Sequence, residues 1–265
     1  MNSKAIGVFD SGIGGLTVYK AIKELMPGER VIYLGDTAHL PYGTKSPDTI
    51  IRFSEENSRF LTERGVKIIV IACNSSSSYA VAHLQNLLDI PVLGVIDPGS
   101  EAAVEQGQKK IGVIGTTATI SSGAYERSIL NREPDADIIS KACPLFVSLV
   151  EEGWIDHKVT DMVIEEYLLP LKENGIKTLV LGCTHYPVLK DAISRVLGNG
   201  ITLIDSAEVM AVRVQSILKK LGWLYDRNAG NGDDEFYVTD FPERFRKVGE
   251  IFLKRKIDKV KMISL

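Results

Sequence analysis

The sequence has no long apolar run, few cysteines and no strong excess of either charge. None of its apolar segments approaches the roughly 20 residues that a membrane-spanning helix needs. Its first residues carry no apolar stretch followed by a signal-peptide cleavage site. The 31 basic and 34 acidic residues nearly balance and give a formal net charge of -3. We therefore expect a cytoplasmic protein with no membrane or nucleic-acid partner.

The three cysteines, Cys73, Cys143 and Cys183, are too few and too far apart for a disulfide framework or a four-cysteine zinc site. No Cys-X-X-Cys pair or histidine cluster accompanies them. We expect reduced thiols and no bound metal. Cys143, in the segment KACPLF, is not followed by polar residues, and we interpret it as structural.

Short apolar, β-branched runs alternate with helical patterns along the whole chain. The predicted strands are 5–9, 31–34, 67–72, 92–95, 111–114, 178–181, 202–204 and 236–238. The predicted helices are 16–25, 47–63, 78–88, 156–171, 187–197 and 207–221, with a further helix after the last strand. This alternation is typical of α/β proteins with mainly parallel sheets, in which ligands bind at the carboxyl ends of the strands.

Two pairs of similar segments repeat at nearly the same spacing. IGVFDSGIGG at 6–15 resembles IGVIGTTATI at 111–120, an offset of 105 residues. IIVIACNSSS at 68–77 resembles TLVLGCTHYP at 178–187, an offset of 110 residues. The repeat predicts two similar α/β lobes related by approximate two-fold symmetry, with the active site between them.

Turn-forming residues at 96–99 mark the expected crossover between the lobes. We predict a first lobe made of residues 1–97 plus 208–265, and a second lobe made of residues 98–207. A polar, glycine-rich stretch at 226–234 is interpreted as a mobile loop before the last strand and helix.

The repeat makes Cys73 and Cys183 equivalent by position. A lone cysteine at a strand end is usually a small buried apolar residue. A pair of equivalent cysteines that face each other across two lobes instead favours a role in acid–base catalysis. One thiolate can remove a proton from a carbon centre while the opposite thiol delivers a proton to the other face. A thiol suits this work because its ordinary pKa of about 8.5 is near neutral pH.

Other polar residues also follow predicted strands. His185 stands two residues after Cys183 and can exchange a proton with it, although a hydrogen-bonding loop residue is the alternative. Asp10 precedes a glycine-rich turn that has Thr17 where a dinucleotide loop needs its third glycine. That turn suits a carboxylate or phosphate, or Asp10 simply caps the helix. The polar loop at 35–46 contains Pro-Tyr-Gly, which is a binding segment or only a rigid turn.

Six segments carry a family resemblance. In chain order they are FDSGIGGLTV, GDTAHLPYG, ACNSSS, LVEEG, LGCTHYP and FYVTDFPERF. Together they resemble the glutamate racemase family, within the aspartate/glutamate racemase superfamily, over residues 5–245. The resemblance implies interconversion of L-glutamate and D-glutamate without a cofactor, as a step that supplies bacterial peptidoglycan and so maintains the cell wall and cell shape. It also implies two facing lobes and a homodimer.

The resemblance implies five catalytic side chains, which are Asp10, Cys73, Glu151, Cys183 and His185. It pairs Asp10 with Cys73, and it pairs the histidine and the glutamate with Cys183. Glu152 is the neighbouring alternative to Glu151. The implied substrate contacts are Asp10, Ser11, Pro41, Tyr42, Gly43, Asn74, Ser75, Thr116, Thr119, Thr184 and His185.

Two positions depart from the family pattern. Ser75 stands where the family usually has threonine, which keeps the hydroxyl and removes a methyl group. His39 stands where the family often has arginine, so a salt bridge at that position is open to question.

Three other functions fit parts of the sequence. A racemase for aspartate or another amino acid would share the motifs, because the sequence does not give the depth of the pocket. A cysteine hydrolase would use Cys183 and His185 and would have no use for Cys73. A two-lobed protein that binds an amino acid without catalysis would need neither thiol.

Overall fold

Two parallel sheets, each with helices packed on it, form the core of the protein. The computed structural model describes residues 4–225 and 233–265, so the loop predicted at 226–234 lies mostly outside the described residues. The strands are β1 (Ile6–Asp10), β2 (Val31–Gly35), β3 (Ile68–Ile71), β4 (Val92–Gly94), β5 (Lys110–Gly115), β6 (Asp137–Ala142), β7 (Thr178–Gly182), β8 (Thr202–Asp205), β9 (Glu235–Val238) and β10 (Val260–Met262).

The first sheet has the strand order β10-β9-β2-β1-β3-β4, and the second has the order β6-β5-β7-β8. All paired strands run parallel. The helices are α1 (Leu16–Leu25), α2 (Pro47–Glu63), α3 (Asn74–Leu87), α4 (Ile96–Val104), α5 (Thr117–Ser121), α6 (Ala124–Leu130), α7 (Leu145–Glu151), α8 (Lys158–Glu173), α9 (Lys190–Leu197), α10 (Ser206–Lys220) and α11 (Pro242–Leu253). The predicted α/β class with two lobes is confirmed.

The central strands are buried on both faces. Every residue of β1, β2 and β3 is buried. Ile6 and Val8 of β1 pack into one apolar cluster, while Phe9 packs into another on the opposite face. Two-sided burial explains why these strands appear in the sequence as continuous apolar runs instead of alternating ones.

All eight predicted strands are present to within one residue at each end. Two further strands, β6 and β10, were not predicted. Both lie at the edge of a sheet and are largely exposed or half-buried. Edge strands of this kind contain charged and polar residues, so their sequences lack the apolar run that marks the central strands.

Two predictions near the strand ends were wrong in detail. Helix α3 begins at Asn74, four residues before the predicted start, because its polar first turn shows no apolar periodicity. The turn predicted at 96–99 is the first turn of α4. Pro98 fits there, since the first turn of a helix has N–H groups without intrahelical partners and a proline removes one of them.

The remaining predicted helices match to within three residues at each end. The unpredicted helices α5, α6 and α7 have only five to seven residues, which is too short for a clear periodic pattern. Within the described part of the chain, no helix combines the length and the apolar content that crossing a membrane requires.

A buried ion pair fastens the chain after α10 to the first sheet. Lys67 Nζ lies 2.6 Å from Glu29 Oε2, and both side chains are at most 1% exposed. The ammonium also donates to the Trp223 carbonyl at 2.9 Å, and the Tyr225 amide donates to Glu29 Oε1 at 2.7 Å. Two buried charges are tolerated only when they are paired and hydrogen-bonded in this way.

We predict that Glu29→Gln lowers the free energy of unfolding by about 3 kcal/mol, because it removes the negative charge that lies 2.6 Å from a buried ammonium. The matched control is Glu24→Gln, which removes an exposed pair with Lys20 at 3.9 Å. That control should change stability by less than about 0.5 kcal/mol. Urea unfolding measures both. Equal losses in the two variants would contradict the role given to the buried pair.

Candidate active site

Each of the two repeated cysteines lies one or two residues after the end of a buried parallel strand. Cys73 follows β3 and has an extended backbone as the residue that precedes α3. Cys183 follows β7 and precedes a short 3-10 turn at Tyr186–Leu189. Both thiols are 5% exposed, and both line one small cavity between the carboxyl ends of the two sheets. The fold therefore brings the two cysteines to the same place.

The cavity is lined by residues that come from both lobes. They are Ser11, Leu40, Pro41, Tyr42, Gly43, Cys73, Asn74, Ser75, Thr116, Val147, Cys183, Thr184 and His185. Every expected substrate contact is among them except Asp10 and Thr119. Leu40 and Val147 are apolar members that the motifs did not indicate, because nothing in the sequence distinguishes them from core residues.

The Cys183 side of the cavity carries a chain of hydrogen bonds. His185 Nδ1 lies 3.9 Å from Cys183 Sγ, and His185 Nε2 lies 3.1 Å from Glu151 Oε1. Burial lowers the pKa of His185, but the hydrogen bonds and charges of Cys183 and Glu151 outweigh it and raise the pKa to about 10. The histidine is therefore an imidazolium at neutral pH, and it places a positive charge beside the Cys183 sulfur.

The structure distinguishes the two adjacent glutamates of the LVEEG segment. Glu151 contacts His185 and is 10% exposed, whereas Glu152 is 68% exposed. Arg244 of α11 lies 3.4 Å from Glu151 Oε2 and 3.6 Å from Glu152 Oε1. Glu151 is thus the glutamate that contacts His185 at the cavity. Arg244, an exposed residue that the motifs did not single out, forms an ion pair with the other oxygen of Glu151.

The Cys73 side has different neighbours. Cys73 donates to Ser11 Oγ at 3.7 Å, and the Asp10 carboxylate lies buried below the cavity floor. Burial, followed by the charge of Asp10, raises the pKa of Cys73 to about 11. Burial also raises the pKa of Asp10 above its usual range. At neutral pH the Cys73 thiol therefore keeps its proton.

Asp10 also connects the two lobes. Its Oδ2 accepts from the Gly12 amide at 2.9 Å, and its Oδ1 accepts from the Thr184 hydroxyl at 3.3 Å. A Cβ atom at Gly14 would lie 2.3 Å from Thr184 Oγ1 and 2.6 Å from His185 Nδ1. The glycine-rich turn is needed for this close approach between lobes, which is a reason for glycine that the sequence did not reveal.

The loop before α2 is held by a buried carboxylate. The Tyr42 hydroxyl donates a hydrogen bond to the Asp36 carboxylate. The Asn57 amide nitrogen donates in turn to the Tyr42 hydroxyl, at 3.0 Å. His39 Nδ1 lies 2.9 Å from Asp36, and its ring stacks on Phe53 with 4.1 Å between the ring centroids. His39 thus contacts the acid that orients Tyr42. Asp36 comes directly after β2, as Asp10 ends β1, and this position at the carboxyl end of a strand could have identified it.

A cluster of three hydroxyls lies at the wall of the cavity that Ser75 and Thr116 form. Ser75 Oγ is 2.9 Å from Thr116 Oγ1 and 3.4 Å from Thr119 Oγ1, and the two threonine oxygens are 3.0 Å apart. A Cβ atom at Gly43 would lie 2.6 Å from the Cβ of Thr116, so only glycine lets the loop approach this wall. Thr119 does not line the cavity, but its hydroxyl contacts the hydroxyls of Ser75 and Thr116, which do.

Metal ligands do not gather at the site. Within the described residues, no three histidine, cysteine, aspartate or glutamate side chains stand close enough together to hold a metal ion.

The family assignment follows from the sequence as a whole. Residues 6–214 match the family model of the Asp/Glu/hydantoin racemases. The chain belongs to this family, as its motifs had indicated. A glutamate racemase of Geobacter metallireducens is 48% identical over 263 residues, covering 99% of this chain and 97% of that protein.

Solved structures agree with this assignment. The crystal structure of glutamate racemase from Francisella tularensis in complex with D-glutamate has a TM-score of 0.93 and 39% identity, and covers 100% of this chain and 98% of that chain. A glutamate racemase from Thermus thermophilus in complex with β-chloro-D-alanine has a TM-score of 0.89 and 44% identity, and covers 100% of this chain and 99% of that chain.

We predict that His185 stays protonated up to about pH 10 and that Glu151→Gln lowers its pKa, because the variant removes a negative charge beside the ring. The pKa in the folded protein exceeds the unfolded value of about 6.5, so the ionised ring stabilises the fold below that pH. This stabilisation disappears as the pH rises through 10. NMR titration of the imidazole measures the shift.

The control for this titration is Glu152→Gln, which changes the exposed neighbour and should leave the histidine pKa in place. An equal fall in both variants would show that general surface charge, and not the contact with Glu151, holds the proton.

Proposed function

We propose that the protein interconverts L-glutamate and D-glutamate without a cofactor, by a mechanism that uses two cysteines. The observation that carries this proposal is the pair of buried thiols at one cavity, each with its own polar partners. The similarity to glutamate racemases over nearly the whole chain supports glutamate as the substrate. Asp10, Cys73, Glu151, Cys183 and His185 are the proposed catalytic set.

The two-base mechanism needs one sulfur as base and the other as acid. Cys73 carries a proton and is the proposed acid, and Cys183, whose sulfur lies beside the imidazolium, is the proposed base. An enantiomer whose α-hydrogen faces Cys183 meets a ready base, and the Cys73 thiol then delivers a proton to the other face. Afterwards the two states are exchanged. The other enantiomer needs this exchanged state, and Asp10 and His185 are the groups placed to help the proton leave or return.

The α-hydrogen of glutamate is only weakly acidic, so the site must stabilise a carbanion-like transition state. No aldehyde cofactor is proposed to act as an electron sink. Preorganised donors replace it: the amide of Asn74, the hydroxyls of Ser75 and Thr184, and the backbone N–H groups at the start of α3. The near-complete burial of both thiols supports a site that excludes water in the closed state. Opening of one lobe from the other is proposed to control access of the substrate.

The Pro41-Tyr42-Gly43 segment and the Thr116 wall are proposed to hold the rest of the substrate. With Ser11, Ser75 and the loop after Cys183, they surround the cavity on all sides. Thr119 is proposed to act by orienting the hydroxyl of Thr116.

The wider context is also proposed. Residues 1–97 plus 208–265 form one lobe and 98–207 the other, which is supported by β1–β4, β9 and β10 forming the first sheet and β5–β8 the second. The family resemblance supports a cytoplasmic homodimer that supplies D-glutamate for peptidoglycan, and so for the cell wall and cell shape. No nucleic-acid or membrane partner is proposed.

The substrate is tested by incubating the protein with L-glutamate, and separately with L-aspartate, in deuterated water. Loss of the α-proton signal of glutamate, together with decay of its optical rotation, is the expected result. Exchange of aspartate alone would overturn the choice of substrate in favour of a related racemase. Tight binding of glutamate with no change in rotation would identify a binding protein instead.

We predict that Cys73→Ser and Cys183→Ser each reduce racemisation at least about 100-fold, because a positioned acid or base contributes roughly that much or more. Cys143→Ala is the control, since that cysteine is buried outside the cavity and should leave the rate near that of the unmodified protein. Polarimetry measures all three. Full turnover in Cys73→Ser would instead support a hydrolase that uses Cys183 and His185.

A further inference from the structure

The side chain of Asn74 has one satisfied and one unsatisfied end. It is 2% exposed and lines the cavity. Its Oδ1 accepts a hydrogen bond from the Tyr125 hydroxyl at 2.8 Å. Its Nδ2 is buried and has no hydrogen-bond partner among the described residues. A buried amide nitrogen left in this state costs free energy, so its two hydrogens need an acceptor that the protein itself does not supply.

Tyr125 determines which atom of the Asn74 amide remains without a hydrogen-bond partner. The phenol is buried, and burial raises its pKa well above neutral, so it keeps a proton to donate. The phenol proton goes to the Asn74 carbonyl, because the carbonyl oxygen lies 2.8 Å from the phenol oxygen and the amide nitrogen has no proton acceptor to offer. A flipped amide would present its nitrogen to Tyr125 and its oxygen to the substrate.

The ring of Tyr125 is itself held in place. It lies on α6 of the second lobe and is 2% exposed. A Cβ atom at Gly99 would lie 3.2 Å from the ring, and one at Gly182 would lie 3.0 Å from it. The ring therefore packs against the backbone of α4 and against the end of β7, next to Cys183. Its hydroxyl reaches across to Asn74, which is adjacent to Cys73.

We infer that Tyr125 is a positioning residue that makes the site selective for a carboxylate. It fixes the Asn74 amide with both N–H groups directed to the substrate. The acceptor that completes this relay is an oxygen of the α-carboxylate of the amino acid. This inference rests on the proposed function, and it adds Tyr125, which no sequence motif indicated.

The experiment compares Tyr125→Phe, Asn74→Ala and the double variant. Phenylalanine keeps the ring packing and removes only the hydroxyl. We expect KM for glutamate, and Kd for glutamate by calorimetry, to rise about 3- to 10-fold in Tyr125→Phe, the effect of one hydrogen bond, with a smaller change in kcat. In the Asn74→Ala background the tyrosine change should add nothing, because its effect passes through that amide.

The matched control is Tyr79→Phe. The Tyr79 hydroxyl also donates from one lobe to the other, to the Ala118 carbonyl at 3.0 Å, but this contact lies outside the cavity. Its KM should stay within two-fold of the unmodified value, as about 0.4 kcal/mol or less is expected at the site. An unchanged KM in Tyr125→Phe, an equal rise in Tyr79→Phe, or an undiminished effect in the Asn74→Ala background would each overturn the inference.

The Kd measurement separates this inference from the proposed function. If the unmodified protein binds glutamate without racemising it, the proposed function fails while the effect of Tyr125→Phe on Kd still tests the relay. If it racemises glutamate and Tyr125→Phe leaves Kd unchanged, the proposed function stands and the relay is wrong. If it does not bind glutamate, both are overturned.

Discussion

The structure depends on the close approach of two sets of strand ends. Parallel strands from the two sheets direct their carboxyl ends at one cavity, and the thiols can share a substrate only if the lobes meet there without a layer of side chains between them. Gly14 allows this on one side, where its backbone lies against Thr184 and His185, and Gly43 allows it on another, against Thr116. The glycine-rich motifs are therefore requirements of the interface between the lobes, and the site is a consequence of that interface.

The symmetry of the backbone does not extend to the electrostatics. Each lobe carries a cysteine after a buried strand, yet the buried Asp10 carboxyl group raises the pKa of one thiol and the other thiol has an imidazolium beside it. Burial and Asp10 hold the proton on Cys73, while Glu151 and Cys183 hold the proton on His185. The proposed two-base reaction needs one acid and one base at the same moment. Different partners on equivalent positions suit that requirement of the proposal.

The central strands, the repeat, the cysteine pair and most of the cavity side chains could be predicted from the sequence, because each of these depends on a local pattern or on a motif. The sequence did not reveal Tyr125 or the contact of Thr184 with Asp10. A hydrogen bond between Tyr125 and Asn74 joins residues 51 apart, and the bond between Thr184 and Asp10 joins residues 174 apart. Contacts of this kind arise only from the packing of the lobes, so no pattern along the chain indicates them.

These contacts between the lobes also explain how closure and chemistry can be coupled. The Thr184 hydroxyl reaches Asp10 across the interface, and the Tyr125 hydroxyl reaches Asn74 across it. In the proposed mechanism, separation of the lobes breaks both bonds, which frees the amide to rotate and removes a donor from Asp10. We propose that the open site is hydrated and poorly oriented. Closure would then remove water, fix the carboxylate donors and bring the thiols to the substrate in one movement, so that a reactive arrangement exists only while the α-carbon is enclosed.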